Sequence, residues 1–242
     1  MKGDADYLNL SFAEAIKFFR DKLSITTGHW DDIWGEMHAR AFTVAGAASD
    51  DLLEDLRGAI DKAISTGTTL DEFRRDFDAI VQKFGWSYKG TRGWRTAVIY
   101  DANLSTAYAA GRYRQATTPA VMGEMPYFRY MRTSSASPRK EHLAWDNLVL
   151  AKDDPFWDTH LPPNGWGCKC GVQSVSRRGL DSLVERMAAK GRPVRTTAPE
   201  IEMVEHVNKR TGQVRQVPKG IDPGWDYNPG KKPWPDKSEG NA

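Results

Sequence analysis

Cysteine is scarce. Cys168 and Cys170 are the two cysteines among 242 residues, too few for a disulfide framework, and a reducing compartment would keep them as thiols. Long apolar runs are missing as well. None approaches the ~20 residues that a membrane span requires, so no membrane span is expected. The N-terminus, Met-Lys-Gly-Asp-Ala-Asp, carries acids where a secretory signal carries basic and then apolar residues. The chain is therefore expected to stay in the cytoplasm where it is made. Several catalytic signatures are absent: no Gly-x-x-x-x-Gly-Lys-Ser/Thr loop, no dinucleotide fingerprint, no His-Glu-x-x-His and no Gly-x-Ser-x-Gly. There is no internal repeat and no long low-complexity segment.

Hydrophobic residues make up 40% of the chain and charged ones 27%, a globular balance, and the length suits one large domain or two small ones with a real core. The formal net charge is only +2, but it is unevenly spread. Residues 1–70 hold twelve acids against seven bases; residues 83–140 hold ten bases against two acids, Asp101 and Glu124. Trp86, Tyr88, Trp94, Tyr100, Tyr108, Tyr113, Tyr127 and Tyr130 interleave that basic segment. Such a mixture can follow a nucleic-acid backbone and stack on bases. It is equally a solvated basic face beside a Tyr-rich core, which is the commoner case because charge segregation alone is weak support for binding.

The expected fold class is α+β, with a helical N-terminal region over 1–115, a mixed region over 116–230 and a disordered tail over 231–242. Ser11-Phe-Ala-Glu14 reads as a capping box, followed by an apolar face of Phe12, Ile16, Phe19 and Leu23. A second helix is expected over Asp31–Phe42, with Trp34, Met37 and Ala41 inward. A third opens at Asp51 and carries Leu56, Ile60 and Ala63. Thr69-Leu-Asp-Glu72 opens a fourth, striped by Leu70, Phe73, Phe77, Ile80 and Phe84 and stopped by Gly85. A long fifth helix, Gly93–Gln115, is rich in small residues that admit another backbone. Tyr127–Arg132 alternates as a strand, and a short helix is expected after Pro138. Leu148–Leu150 reads as a short strand, and Cys168–Val172 as extended with both cysteines on one side. Ser176–Lys190 reads as a helix with Leu180, Leu183, Val184 and Met187 inward. The segments 201–207 and 213–217 read as a hairpin, and the aromatic segment 220–230 as a loop that packs down.

Chemistry concentrates between Arg139 and Cys170. Two thiols at Cys168 and Cys170, with His142 and His160, would form a two-sulfur, two-nitrogen zinc set. The competing reading buries both cysteines as small core residues, their commoner fate; on that reading no cofactor is expected, and zinc stays an open alternative. Cys168 or Cys170 as a nucleophile with His142 as its base lacks an orienting third group. A nuclease-like site would use His142 and His160 for proton transfer and Arg139 to hold a phosphate, with Asp146, Asp153 or Asp154. Asp153-Asp154-Pro155 is, however, also an ordinary helix start.

The ordered run Arg139-x-x-His142, Asp153-Asp-Pro-Phe-Trp157 and Leu161-Pro-Pro-x-Gly-x-Gly-Cys-Lys-Cys170 resembles the phage head morphogenesis domain, the minor head protein family typified by the F protein of phage Mu. Trp94–Gln115 is similar to the long helix that precedes this motif in the family. Ala41–Gly46, Gly67–Arg74 and Gly220–Gly230 are similar to its N-terminal and C-terminal segments, so the likeness covers about residues 8–230. The resemblance implies a non-enzymatic minor head protein, made in the host cytoplasm and then carried in the virion head. Its implied partners are the portal and other head or scaffold proteins, and packaged DNA; its implied work is capsid assembly and DNA packaging or delivery. Arg139, His142, Pro162, Pro163, Gly167, Cys168 and Cys170 would organise the central fold or a partner surface. The alternatives are a nuclease-like enzyme using His142 and His160, and a DNA-binding virion protein using residues 83–140. Lys169 stands where arginine is usual. The acid often found shortly before the motif arginine is missing from Thr133–Pro138, so no carboxylate partner for Arg139 is expected from that stretch.

Overall fold

Local chemistry fixes the helices first. The computed structural model describes residues 12–132 and 137–231, which divide into two units, one up to Arg112 and one from Tyr113 to Lys231. In the first unit, α3 (Asp50–Thr66) starts where the Ser49 side chain accepts from the Leu52 N–H and stops at Gly67, whose φ of 73° is the left-handed conformation glycine tolerates best. Helix α4 (Leu70–Phe84) opens on a full capping box between Thr69 and Glu72 and stops at left-handed Gly85. Leu56, Ile60 and Ala63 of α3 and Phe73, Phe77 and Ile80 of α4 are all buried. Each large side chain among them contributes roughly 1.5–3 kcal/mol. The long helix α5 (Arg92–Ala116) has Ala107 and Ala110 fully buried. At Gly111 an added Cβ would lie 2.8 Å from the Ala15 backbone nitrogen and from the Phe12 ring. Only glycine lets the start of α1 (Ala13–Arg20) approach so closely.

The N-terminal region departs from expectation at three places. Helix α1 ends at Arg20, so Leu23 is exposed, and Phe18 is buried in its stead. Leu23–Ser24 forms β1, which pairs in parallel with β2 (Ala41–Phe42). The helix expected over Asp31–Phe42 shrinks to α2 (Met37–Arg40). There the Asp32 carboxylate accepts the N–H groups of Gly28 and His29, and Gly35 is left-handed at φ 49°. Both features favour turns over a continuous helix. Met37 is exposed, whereas Ala41 is buried as a strand residue. The Ser11–Glu14 capping box involves Ser11, which lies outside the described residues.

The second unit is built on β3 (Tyr127–Met131), which runs antiparallel between β4 (Val149–Ala151) and β5 (Gly171–Val175). A helix not expected from the sequence, α6 (Pro119–Glu124), precedes β3. Alternation along the strands sorts the two faces. On one, Val149 and Val175 pack against Leu183 and Met187 of α9 (Arg177–Ala188). Val184 of that helix is exposed rather than inward. On the other face Phe128 and Tyr130 are buried among Trp145, which ends α7 (Lys140–Ala144), and the aromatics of α8 (Phe156–His160). Trp157 is fully buried, edge-on to Phe128 and Phe156. Its indole N–H donates to the Ala151 carbonyl at 2.9 Å, and its own carbonyl accepts from Asn228 Nδ2 at 3.0 Å.

Strands β6 (Met203–Val207) and β7 (Val214–Pro218) form the C-terminal hairpin. Val217 is buried, whereas Met203, Val207 and Val214 share the opposite, exposed side. The following segment packs down through buried Trp225, Tyr227 and Asn228. Of the tail expected to be disordered, Lys231 is held by Asn228 and by Asp158, and the rest lies outside the described residues. No helix among the described residues is long and apolar enough to cross a membrane.

Candidate functional site

Three elements bring His142, Cys168 and Cys170 together. His142 projects from α7. The cysteines follow a turn in which the Cys168 N–H donates to the Gly165 carbonyl at 3.1 Å and Gly167 is left-handed at φ 66°. The third element is the C-terminal segment. There the Gly220 carbonyl lies 2.9 Å from His142 Nε2. A carbonyl only accepts, so Nε2 carries the ring proton and Nδ1 presents a lone pair. That lone pair faces both sulfurs, at 3.8 Å from Cys168 Sγ and 3.6 Å from Cys170 Sγ. All three donor atoms lie within 4.8 Å of one another. His142 and Cys168 are buried and Cys170 is half-buried.

Around this cluster the chain is tightly fitted. The Cys170 thiol beside it, together with burial, pushes the Cys168 thiol pKa well up. The Tyr130 hydroxyl, buried beside the cysteines, is likewise held protonated, chiefly by burial, and donates to Asn164 Oδ1 at 2.9 Å. Asn164 is fully buried, and its Nδ2 finds no acceptor among the described residues. Gly220 is itself required. At its φ of 91° a side chain would be strained, and an added Cβ would lie 2.4 Å from Glu141 Cβ.

A second knot adjoins the first. Arg139 caps the start of α7 and donates to Asp222 Oδ2 at 2.7 Å and to the Trp166 carbonyl at 3.1 Å. The same carboxylate oxygen accepts the Trp166 N–H at 2.8 Å, and the Asp222 N–H donates to the Asn164 carbonyl at 3.0 Å. The partner missing from Thr133–Pro138 is thus supplied from residue 222, far along the chain. Gly165 makes room for it: an added Cβ would lie 2.3 Å from Asp222 Oδ2 and 2.9 Å from an Arg139 nitrogen. Pro162 and Pro163 are buried and joined by a cis peptide bond.

His160 does not join the cluster. Among the described residues, the metal-competent group is His142, Cys168 and Cys170. His160 stacks on Phe156 at 4.2 Å, meets Trp145 edge-on and contacts Thr159 through Nδ1 at 2.7 Å. Its place on the inward side of α8 makes it a core residue. Burial lowers its pKa from 6.5 to about 4. The unfolded chain therefore binds more protons than the folded one between those values. Stability is full above pH 6.5, falls as the pH drops toward 4 and flattens below. The loss should amount to about 3 kcal/mol. In chelator-containing buffer, the urea midpoint of a His160→Phe variant should fall less between pH 7 and pH 4.5 than that of the parent. Equal acid losses would sink this assignment.

Asp146 pairs with Arg132 and Arg192, and the Asp154 carboxylate caps the Phe156 N–H at 2.9 Å. Lys231 reaches Asp158. Asp146 and Asp154, two of the three acids offered for hydrolysis, thus hold structure. Sequence reasoning missed Asp222, Gly220, Tyr130 and Asn164 as members of the site. The Gly-Ile-Asp-Pro-Gly turn was the available signal, a carboxylate fixed between glycines in an otherwise apolar segment.

This motif geometry sits within a stretch that known proteins share. The family model described as "Phage Mu protein F like protein" matches residues 54–173, which include Arg139, His142, Cys168 and Cys170. The chain belongs to the Mu F-like family. It is 35% identical to the "Putative capsid assembly protein F" of Escherichia phage Mu over 240 residues, covering 90% of this chain and 54% of that protein. It is 32% identical to the "Mu-like prophage FluMu F protein" of Haemophilus influenzae over 227 residues, covering 84% of this chain and 53% of that protein. The Mu F-like chain thus spans about half the length of these curated relatives. No solved structure matches it.

Proposed function

We propose that this Mu F-like chain works by binding in phage head assembly, as a minor head protein close to the portal, with a part in DNA packaging or delivery. The observation that carries this reading is the similarity to a protein named for capsid assembly over nine-tenths of the chain. The site supports it. His142 spends Nε2 on a backbone carbonyl and turns Nδ1 to two thiols, and His160 is neutral in the core. Neither is poised to move protons for a nuclease. The exposed side of the hairpin, with Met203, Val207 and Val214, suits contact with another protein.

A DNA-binding role through residues 83–140 is less well supported than composition implies. Lys83 pairs with Asp55, Arg92 with Asp78, Arg132 with Asp146 and Arg139 with Asp222. Arg95 lies over Trp86, Tyr88 and Trp94, and Arg129 donates to Asn147. At least six of the ten cations in that segment are therefore engaged within the protein.

Co-expression with the head and portal proteins of the same genome should carry the chain into a large assembly on a sucrose gradient. A chain that stays at the top of the gradient would count against the reading. Val207→Lys with Val214→Glu should weaken co-sedimentation at least tenfold while leaving thermal unfolding nearly unchanged, because both side chains are exposed and the opposite charges face each other across the hairpin. Purified protein mixed with DNA or RNA, with and without divalent metal, should leave both intact. Cleavage that disappears in His142→Ala would overturn a binding-only role.

A further inference from the structure

We propose that His142 Nδ1 and the sulfurs of Cys168 and Cys170 hold one zinc ion, which locks α7 to the loop before β5. The inference is independent of the assembly role. Its first support is distance. Zinc bonds of about 2.3 Å to sulfur and 2.05 Å to nitrogen, at tetrahedral angles, place a sulfur and a nitrogen about 3.6 Å apart. The observed separations are 3.6 and 3.8 Å. Its second support is orientation. The Gly220 carbonyl receives Nε2–H and so fixes the tautomer that points a lone pair at the sulfurs, the outer-shell arrangement that ligating histidines use.

The Nδ1 lone pair faces both sulfurs. A cation at the centre meets all three donors at once. Each thiol loses its proton to solvent as its sulfur bonds the metal, so binding one Zn²⁺ releases two protons, and His142 stays neutral. Soft thiolates with an imidazole favour zinc over magnesium or calcium, whose ligands are oxygens.

No fourth His, Cys or carboxylate joins the cluster among the described residues. The fourth position is therefore assigned to water entering on the half-buried Cys170 side. A site of three protein ligands and water resembles catalytic zinc in coordination. Here the role is mechanical. The ion would join His142 of α7 to the Cys168–Cys170 loop, and through the Gly220 carbonyl it would brace the segment that carries Asp222.

The test uses the full chain purified from zinc-supplemented medium without chelator. Elemental analysis should give one zinc per chain. Thiol titration under native conditions should find both cysteines protected, and a strong chelator should expose both and lower the melting temperature. Cobalt(II) added to the chelated protein should produce a thiolate-to-metal charge-transfer band. Cys170→Ser and His142→Ala should each lose the zinc. Should either variant fail to fold, the chelation and cobalt measurements on the unaltered chain still decide. Two reactive thiols with no metal, a Cys168–Cys170 disulfide, or melting indifferent to chelator would each overturn the proposal.

Discussion

Replacing Trp157 by alanine should remove about 3–5 kcal/mol of stability, the range for truncating a large buried aromatic, and leave the second unit largely unfolded at 37 °C. The side chain is fully buried, so the vacated volume has no route to solvent. Phe128 and Phe156 each lose an edge-to-face partner, at 5.7 and 5.2 Å, and such pairs contribute about 0.5–1.5 kcal/mol beyond burial. The Ala151 carbonyl loses its indole donor, which adds about 1–3 kcal/mol if no water replaces it. Trp157→Phe should recover most of the packing but not that hydrogen bond. Chemical denaturation of the three proteins checks the ranking. A Trp157→Ala midpoint within error of the parent would show that this residue does not anchor the unit.

Adding a single methyl group at Gly165 should be nearly as damaging. Gly165→Ala places a carbon where the Asp222 carboxylate and an Arg139 nitrogen now sit, at 2.3 and 2.9 Å. The carboxylate must move, and it then gives up the hydrogen bonds from Arg139 and from the Trp166 N–H. Hydrogen bonds to charged groups contribute about 1.5–3 kcal/mol, discounted here because the Arg139–Asp222 pair is about one-third exposed. The expected loss is about 3 kcal/mol. Gly167→Ala is the control, since its Cβ meets nothing within 4 Å and only its φ of 66° is strained; it should cost about 1–2 kcal/mol. On an Asp222→Ala background the penalty of Gly165→Ala should shrink sharply, because the clashing group is gone. Additive losses in that cycle would mean the methyl group harms something else.

The parts legible in the sequence are those whose causes are local. Thr69 and Glu72 are three residues apart, and Phe73, Phe77 and Ile80 repeat at helical spacing, so α4 could be read directly. The alternation of Tyr127–Met131 gave β3 for the same reason, and the hairpin followed from its two β-rich runs around a polar turn. The site was half legible. His142, Cys168 and Cys170 stood out by type, but type alone could not separate them from His160. Position did that: His160 lies against Phe156 and Trp145, whereas His142 turns Nδ1 to the two sulfurs. Asp222 was invisible as the partner of Arg139 because 83 residues separate them, and no periodicity spans such a gap. The pairing of β1 with β2 was hidden for another reason: two residues per strand are too few to show alternation.

Residue 222 also sets a schedule. The chain emerges from the ribosome N-terminus first, at about 5–20 residues per second, so roughly 4–17 s pass between the synthesis of Arg139 and that of Asp222. In that interval β3, β4 and β5 can pair, yet Arg139 lacks its carboxylate, His142 lacks the Gly220 carbonyl, and Trp157 lacks Asn228. The newborn second unit waits with its aromatic face incomplete, a state prone to aggregation and suited to chaperone holding. Its closure is thus tied to translation reaching the turn that carries Gly220 and Asp222, and any stop codon before that turn releases a chain that cannot shut.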